Sequence, residues 1–366
     1  MKVLYLTPWY PSKEDAMAGL FVQKHVDSVR NQGVDVRVLH SQTWGGLLRG
    51  WQQLKREWGL PDVVQLNVIQ KQGVLALWLK RKYKIPYIII EHWSGYLPEN
   101  GQLMQMPAYK RRLYARIANK ASVLLCVSNR LADAMRQCGV TNTDCRKINN
   151  VVDEFFYDKV ESRKSKVERS SALGSAINSV GSKKTLLHVS CFDERAKNVK
   201  GLLRAARMLA YRRLDWQLVL VGTGVDYQEV RAYADELTFP EGLLQWRGVL
   251  PPRQVAEELA QADIFVLPSN YENAPVVISE SLARGVPVIS TRAGGIPEMV
   301  SSECGILVPP RDDQALTEAI ANMLDHYNDY NRDTIRQAGL QYTYESVGTR
   351  LANIYREVCT TPSSHC

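Results

Sequence analysis

Apolar and polar positions along the chain fall into two rhythms. Short, nearly continuous apolar runs are followed by longer stretches in which apolar residues recur every three or four positions. In the first half the apolar runs are Val3–Thr7, Val34–His40, Asp62–Ile69, Pro86–Glu91 and Ser122–Val127. Gly, Pro and polar clusters bound them, which predicts buried strands. Helical spacing falls between them, at Leu20–Asn31, Val74–Tyr83, Ala108–Lys120 and Arg130–Gln137. Strands separated by helices in this way predict a parallel sheet covered on both faces.

The rhythm stops after Asp153. Residues 158–184 are rich in Ser, Lys and Glu with little periodicity, as expected of a linker or mobile loop. A second alternation follows, with strands expected at Thr185–Ser190, Gln217–Gly222, Leu243–Arg247, Asp263–Pro268 and Val286–Ser290. Helices are expected at Lys200–Arg212, Asp226–Leu237, Arg253–Ala260, Val276–Arg284 and Gln314–Asp325. The fold class is therefore α/β, with two doubly wound Rossmann-like domains, 1–157 and 185–341, facing a cleft. Ligands of such sheets bind beyond the carboxyl ends of the strands, and clefts between domains are common pockets.

The length of 366 residues agrees with two cores better than with one. At 45% apolar and 23% charged residues the composition is that of a globular protein. No apolar run approaches the roughly 18 residues of a membrane span. The opening Met1–Pro8 has too short an apolar run for a secretory signal, and Trp9, Tyr10 and Pro11 stand where a small-residue cleavage site would be. A cytoplasmic protein is expected. Seven cysteines without a C-x-x-C pair suggest neither a disulfide framework nor a zinc site.

Charge changes the picture more. The net charge is +8, yet residues 1–160 hold 23 Lys+Arg against 13 Asp+Glu, a balance of +10, so the remainder carries −2. Two basic clusters stand out, Lys80-Arg81-Lys82-Lys84 and Lys110-Arg111-Arg112 with Arg116. One reading is a solvated helix face. The other is a surface for anionic lipid headgroups or a phosphorylated acceptor, giving peripheral contact with the inner face of the cytoplasmic membrane. No nucleic-acid partner is expected, because no binding motif and no interleaved aromatics accompany the basic residues.

The candidate chemistry lies in Pro268-Ser269-Asn270-Tyr271-Glu272-Asn273-Ala274-Pro275-Val276-Val277-Ile278-Ser279-Glu280. A strand ends, and a loop leads to a helix whose first position is expected to be Pro275. The N–H groups of Val276 and Val277 then point out of the helix start, where the dipole favours a diphosphate. Glu272 precedes that start, and Glu280 is expected about two turns inside the helix. Both carboxylates are placed to accept bonds from hydroxyls at the two ends of a sugar nucleotide. Two glutamates eight apart are common by chance, and Glu280 alone would be an ordinary surface helix residue. The context argues otherwise: Ala283-Arg284-Gly285-Val286-Pro287-Val288 ends the helix and starts a strand, and Gly294-Gly295-Ile296-Pro297-Glu298 adds a glycine turn.

These segments resemble family 4 glycosyltransferases of the GT-B fold, with their E-x7-E pair, A-x-G-x-P-V and G-G-x-x-E. Val221-Gly222-Thr223-Gly224, Gly248-Val249, Ala262–Ser269 and Gly305–Pro309 continue the likeness in order. The resemblance implies that Glu272 contacts the transferred sugar and Glu280 the ribose, with Val249 and Leu250 at the base. Ser190, Gly222, Asn273, Ala274, Val276 and Val277 complete the donor site it implies. The family places a basic residue on the diphosphate; here Arg195 and Lys197 align, with Lys200 as competitor.

In the first half the likeness is looser. Pro8-Trp9-Tyr10-Pro11 with Gly19 resembles the family's first loop, so Gly19 joins the donor site and the acceptor side. Glu91-His92-Trp93-Ser94-Gly95 stands where the family has H-G, which makes His92 an active-site residue although a lone histidine at a strand end is more often structural. Tyr342-Thr343-Tyr344 and the residues to 366 resemble the family's last helix, which returns to the first domain. The expected activity is a retaining, metal-independent transfer from a UDP- or GDP-sugar to a saccharide or polyprenyl-linked acceptor for a bacterial surface polysaccharide. Glu272, His92, Lys197 and Arg195 are its catalytic residues, and no cofactor is expected. A nucleotide-sugar 2-epimerase and a non-catalytic nucleotide-sugar-binding protein are the alternatives.

Overall fold

The computed structural model describes residues 1–12, 15, 17–158 and 183–360. Most of the expected linker therefore lies outside the described residues. The chain divides into two compact units, Met1–Val152 with the segment from Gln341 onward, and Asp153–Leu340.

In the first unit the elements run β1 (Lys2–Thr7), α1 (Leu20–Arg30), β2 (Asp35–His40), α2 (Trp44–Trp58), β3 (Val63–Asn67), α3 (Lys71–Tyr83), β4 (Tyr87–Glu91), α4 (Gln102–Gln105), α5 (Ala108–Lys120), β5 (Val123–Cys126), α6 (Asn129–Gln137) and β6 (Cys145–Lys147). The strands form one parallel sheet in the order β2-β1-β3-β4-β5-β6. The apolar runs become strands because both faces of the sheet are covered; β3 and β4 are buried throughout.

Apolar periodicity along the chain does not anticipate α2. Three glycines in its first seven residues argue against a helix by propensity. Packing overrides that preference: a Cβ on Gly50 would lie 2.5 Å from the Leu39 side chain, and one on Gly46 would lie 2.2 Å from Ser41 Oγ. The glycines let α2 lie against β2, and Thr43 Oγ1 caps it by accepting from Gly46 N at 3.1 Å.

The second unit holds β7 (Lys184–Val189), α7 (Glu194–Lys197), α8 (Val199–Ala210), β8 (Trp216–Val221), α9 (Tyr227–Glu236), β9 (Leu244–Gly248), α10 (Pro252–Gln261), β10 (Ile264–Leu267), α11 (Val276–Arg284), β11 (Val288–Thr291), β12 (Gly305–Val308), α12 (Asp313–Asp325) and α13 (Arg332–Gly339). Its parallel sheet runs β12-β11-β10-β7-β8-β9, with Trp216, Leu202 and Ile320 among the fully buried core residues. The order reverses between β7 and β10, so their carboxyl ends flank a crevice of the kind that binds ligands in doubly wound sheets. The last helix, α14 (Tyr344–Thr360), packs on α1 of the first unit, where a Cβ on Gly348 would lie 2.2 Å from the Ser28 carbonyl oxygen.

The boundary between units falls at Asp153, earlier than the expected 157. Arg284 explains it: its guanidinium donates to the carbonyls of Asp158 and Phe155, both at 2.6 Å, tying residues 153–158 to α11. No helix among the described residues is long and apolar enough to cross a membrane.

Candidate active site

In the second unit the carboxyl ends of β7 and β10 carry the charged groups. After β7 the chain turns through Asp193, whose side chain caps the short α7, and Lys197 is its last residue. After β10 comes Ser269, whose hydroxyl donates to Glu272 Oε1 at 3.0 Å. Lys197 Nζ meets the same Oε1 in an ion pair whose side chains are only 16% and 12% exposed. Burial works to lower the Lys197 value, but attraction to Glu272 and the hydrogen bond between them outweigh it and hold the ammonium above its ordinary range. Asn270 locks the two loops together, its backbone N–H donating to Ala196 O at 2.7 Å and its Nδ2 to Arg195 O at 3.0 Å.

Beside this pair α11 begins. Pro275 is its N-cap rather than its first helical residue, with extended backbone at ψ 117°. The helix therefore starts at Val276, and Glu280 lies four residues along, little more than one turn in rather than two. The N–H groups of the half-buried Val276 and Val277 are left over at that helix start. Glu280 is 9% exposed, so it is not an ordinary surface residue. Asn273 is buried as well, and Ala274 half-buried.

Glycines bring the neighbouring loops close. Gly222, after β8, has φ 127°, and a Cβ there would lie 1.9 Å from the Ser190 carbonyl oxygen. Gly294, after β11, has φ 53°, and a Cβ there would lie 1.6 Å from the Glu272 carbonyl oxygen. Val249 and Leu250 follow β9 between Gly248 and α10, with Val249 well exposed.

His188 was not singled out by sequence, yet it orients Ser190. Its Nδ1 lies 2.9 Å from the Val266 carbonyl, which can only accept, so Nδ1 carries the proton. Nε2, at 2.7 Å from Ser190 Oγ, then accepts from that hydroxyl. Burial pushes the imidazole down to about 4, with the nearby Lys197 charge adding to the effect, so it is neutral near pH 7. Ser269 was missed too, although its spacing of three from Glu272 is a signal. Of the three cations weighed for the diphosphate, Lys197 alone joins Glu272. Lys200 pairs with Glu229, and Arg195 places its guanidinium 6.0 Å from the Tyr271 ring centroid.

The first unit carries the other residues. Gly19 caps α1 at φ 69°, and a Cβ there would lie 2.4 Å from the Trp9 carbonyl, so the loop after β1 folds onto the helix start. His92 follows β4, with its ring 4.3 Å from that of Phe21 and 5.6 Å from that of His25. Burial, and then the neighbouring His25, hold its imidazole well below the ordinary value.

Two doubly wound α/β units in one chain define the GT-B architecture. The pattern for "Glycosyltransferase Family 4" matches residues 2–154, and that for "Glycosyl transferases group 1" matches residues 183–326. The chain belongs to glycosyltransferase family 4, and it is a glycosyltransferase. It is 23% identical, over 87% of its length and 88% of the relative's, to a Bacillus subtilis protein named provisionally as a teichuronic acid biosynthesis glycosyltransferase. It is 27% identical to the N-acetyl-alpha-D-glucosaminyl L-malate synthase of Bacillus anthracis, over 65% of this chain and 60% of that one. Among solved structures it resembles Anabaena HepE in complex with UDP, with a TM-score of 0.76, 19% identity, and coverage of 98% of this chain and 100% of that one.

Proposed function

We propose that the chain is a retaining, metal-independent glycosyltransferase that moves a sugar from a UDP- or GDP-linked donor to a saccharide or polyprenyl-linked acceptor, in bacterial surface polysaccharide synthesis. The Lys197–Glu272 pair beside the open start of α11 carries this reading. A departing nucleoside diphosphate gains negative charge, and fixed cations and N–H donors already in place stabilise it best. Lys197, Arg195 and the N–H groups of Val276 and Val277 supply both. Glu272 accepts from sugar hydroxyls and Glu280 from the ribose. The backbone at Val249 and Leu250 holds the base, while Ser190, Gly222, Asn273 and Ala274 shape the bed around the donor.

In the reaction the bond from the anomeric carbon to the diphosphate oxygen breaks, its electron pair leaving with the diphosphate. The acceptor oxygen bonds the same face of that carbon, and its proton passes to the leaving group. Retention is carried over from the family resemblance. On the first unit, Gly19 is assigned to the donor phosphates and the acceptor, and His92 to the sugar. Names such as teichuronic acid biosynthesis glycosyltransferase and, in Escherichia coli, O-antigen chain mannosyltransferase B support a surface polysaccharide as the product.

A panel of nucleotide sugars tests the reading by thermal unfolding. The true donor at about 100 times its Kd should stabilise the folded chain by about 2.7 kcal/mol, raising Tm by about 3 to 4 °C for a chain of this length. If no nucleotide sugar shifts Tm, the donor assignment fails. Epimerisation of the donor with no acceptor present would replace the transfer reading.

The proposal includes peripheral binding to anionic lipid at the inner face of the cytoplasmic membrane. A cavity of about 630 Å³ on the first unit is lined by Arg111, Arg112, Arg116 and Lys120 and, among the described residues, by no carboxylate. Met104, which lines it, is 62% exposed. Vesicles of about one third phosphatidylglycerol should bind the protein and release it near 0.5 M salt. Replacing both Arg112 and Arg116 by Glu should weaken binding by about tenfold or more. Equal binding to neutral vesicles would refute the lipid contact.

A further inference from the structure

Glu91 ends β4 with its side chain fully buried. Its Oε1 accepts from the backbone N–H groups of His92 and Trp93, each at 3.0 Å. Its Oε2 accepts from Ile69 N, also at 3.0 Å. One carboxylate thus ties the turn after β3 to the turn that carries His92. The first of these turns is strained: Val68, next to Ile69, sits at φ 61°, a region that β-branched residues rarely adopt.

Among the described residues no cation answers the Glu91 charge. The groups around it are the phenols of Tyr96 and of Tyr114 on α5, the thiol of Cys126 on β5, and the neighbouring imidazoles of His92 and, on α1, His25. Burial holds both imidazoles well below their ordinary value and the phenols above theirs, while the hydrogen bond with Cys145, and then burial, hold the Cys126 thiol up, so all five are neutral near pH 7. Burial pushes the Glu91 carboxyl up to about 7, against the pull of its three N–H donors. The folded chain therefore takes up this proton more readily than the unfolded chain. The resulting stability is fully present below about 4.5 and lost as pH rises through about 7. At neutral pH the ionised group weakens the fold, and what it supplies instead is a fixed turn.

We propose that Glu91 is a positioning residue for the transfer reaction, its ionised carboxylate holding the turn that presents His92. The proposal rests on the assignment of His92 to the sugar pocket. Protonation turns one carboxyl oxygen into a donor, so three N–H groups compete for fewer acceptor sites and the turn relaxes.

Trp93 reports on this turn, because its indole packs edge-on against Tyr96 at 5.4 Å. Tryptophan fluorescence of the full chain should titrate with a midpoint near 7. That transition should vanish in both Glu91→Gln and Trp93→Phe. With the donor returned by the thermal screen, wild-type kcat should fall on the acid side with the same midpoint. In Glu91→Gln, kcat should be lower by about tenfold or more and flat with pH, while donor KM stays within about threefold. Glu91→Asp should restore the acid limb in part. A Glu91→Gln chain that keeps the wild-type acid limb or kcat overturns the proposal, as does a wild-type chain with no fluorescence transition. Full activity in His92→Ala would instead sink the underlying assignment, and it would leave the fluorescence transition in place.

Discussion

Lys197→Ala and Glu272→Ala are each expected to lower kcat/KM by about 10²- to 10³-fold, or about 2.7 to 4 kcal/mol of transition-state stabilisation. The two side chains share one contact, Nζ to Oε1, at the switch point between β7 and β10. Removing Lys197 deletes the cation expected on the leaving diphosphate. It also leaves the Glu272 carboxylate, 12% exposed, with the Ser269 hydroxyl still bonded to the same oxygen. A loss of stability on the order of 1 to 3 kcal/mol should accompany the loss of activity. Residues that act as a unit are not additive, so the double variant should be little slower than either single one. Lys197→Arg keeps the charge but not its point-like shape, and recovery should be partial. Turnover measured beside Tm checks this, and wild-type turnover in both folded single variants would reject the site.

Gly294→Ala should rival those changes although it alters no functional group. Its φ of 53° is left-handed backbone, and the added Cβ would lie 1.6 Å from the Glu272 carbonyl oxygen. The backbone strain alone costs about 1 to 2 kcal/mol. The overlap can be relieved only by moving the turn that bears Glu272. Donor Kd should rise by about 100-fold and Tm should drop by about 2 to 4 °C. A variant that binds donor normally would show that the Glu272 loop tolerates displacement, contrary to the close packing seen here. Ser at this position carries the same Cβ and should fail similarly.

Much of the fold was readable from local pattern. The span Val276–Arg284 coincides with its predicted helix, and Ala108–Lys120 does too, because apolar spacing and terminal residues agree at both. Where pattern and packing disagreed, packing decided. Local pattern assigns no element to α2, and its glycines find their reason in the Leu39 and Ser41 side chains against them. Proline suits the first helical position, which put the start one residue early; counted from either residue, Glu280 lies between about one and one and a half turns in, short of the expected two. Residues 153–157 read as the end of the first domain and 158 as the start of the linker, since nothing local reveals that Arg284 holds the carbonyls of Phe155 and Asp158 from more than a hundred positions away.

Sequence alone determined the two parallel-sheet units, the acidic pair around a helix start, and the surplus of basic residues in the first half. Each follows from periodicity, residue type or spacing within a few dozen positions. Tertiary structure decided which cation meets Glu272, that His188 holds Ser190, and that Glu91 is buried with three N–H donors and no counter-ion among the described residues. Those outcomes depend on which loops meet at the carboxyl ends of non-consecutive strands. Spacing along a chain does not encode that meeting; strand order does.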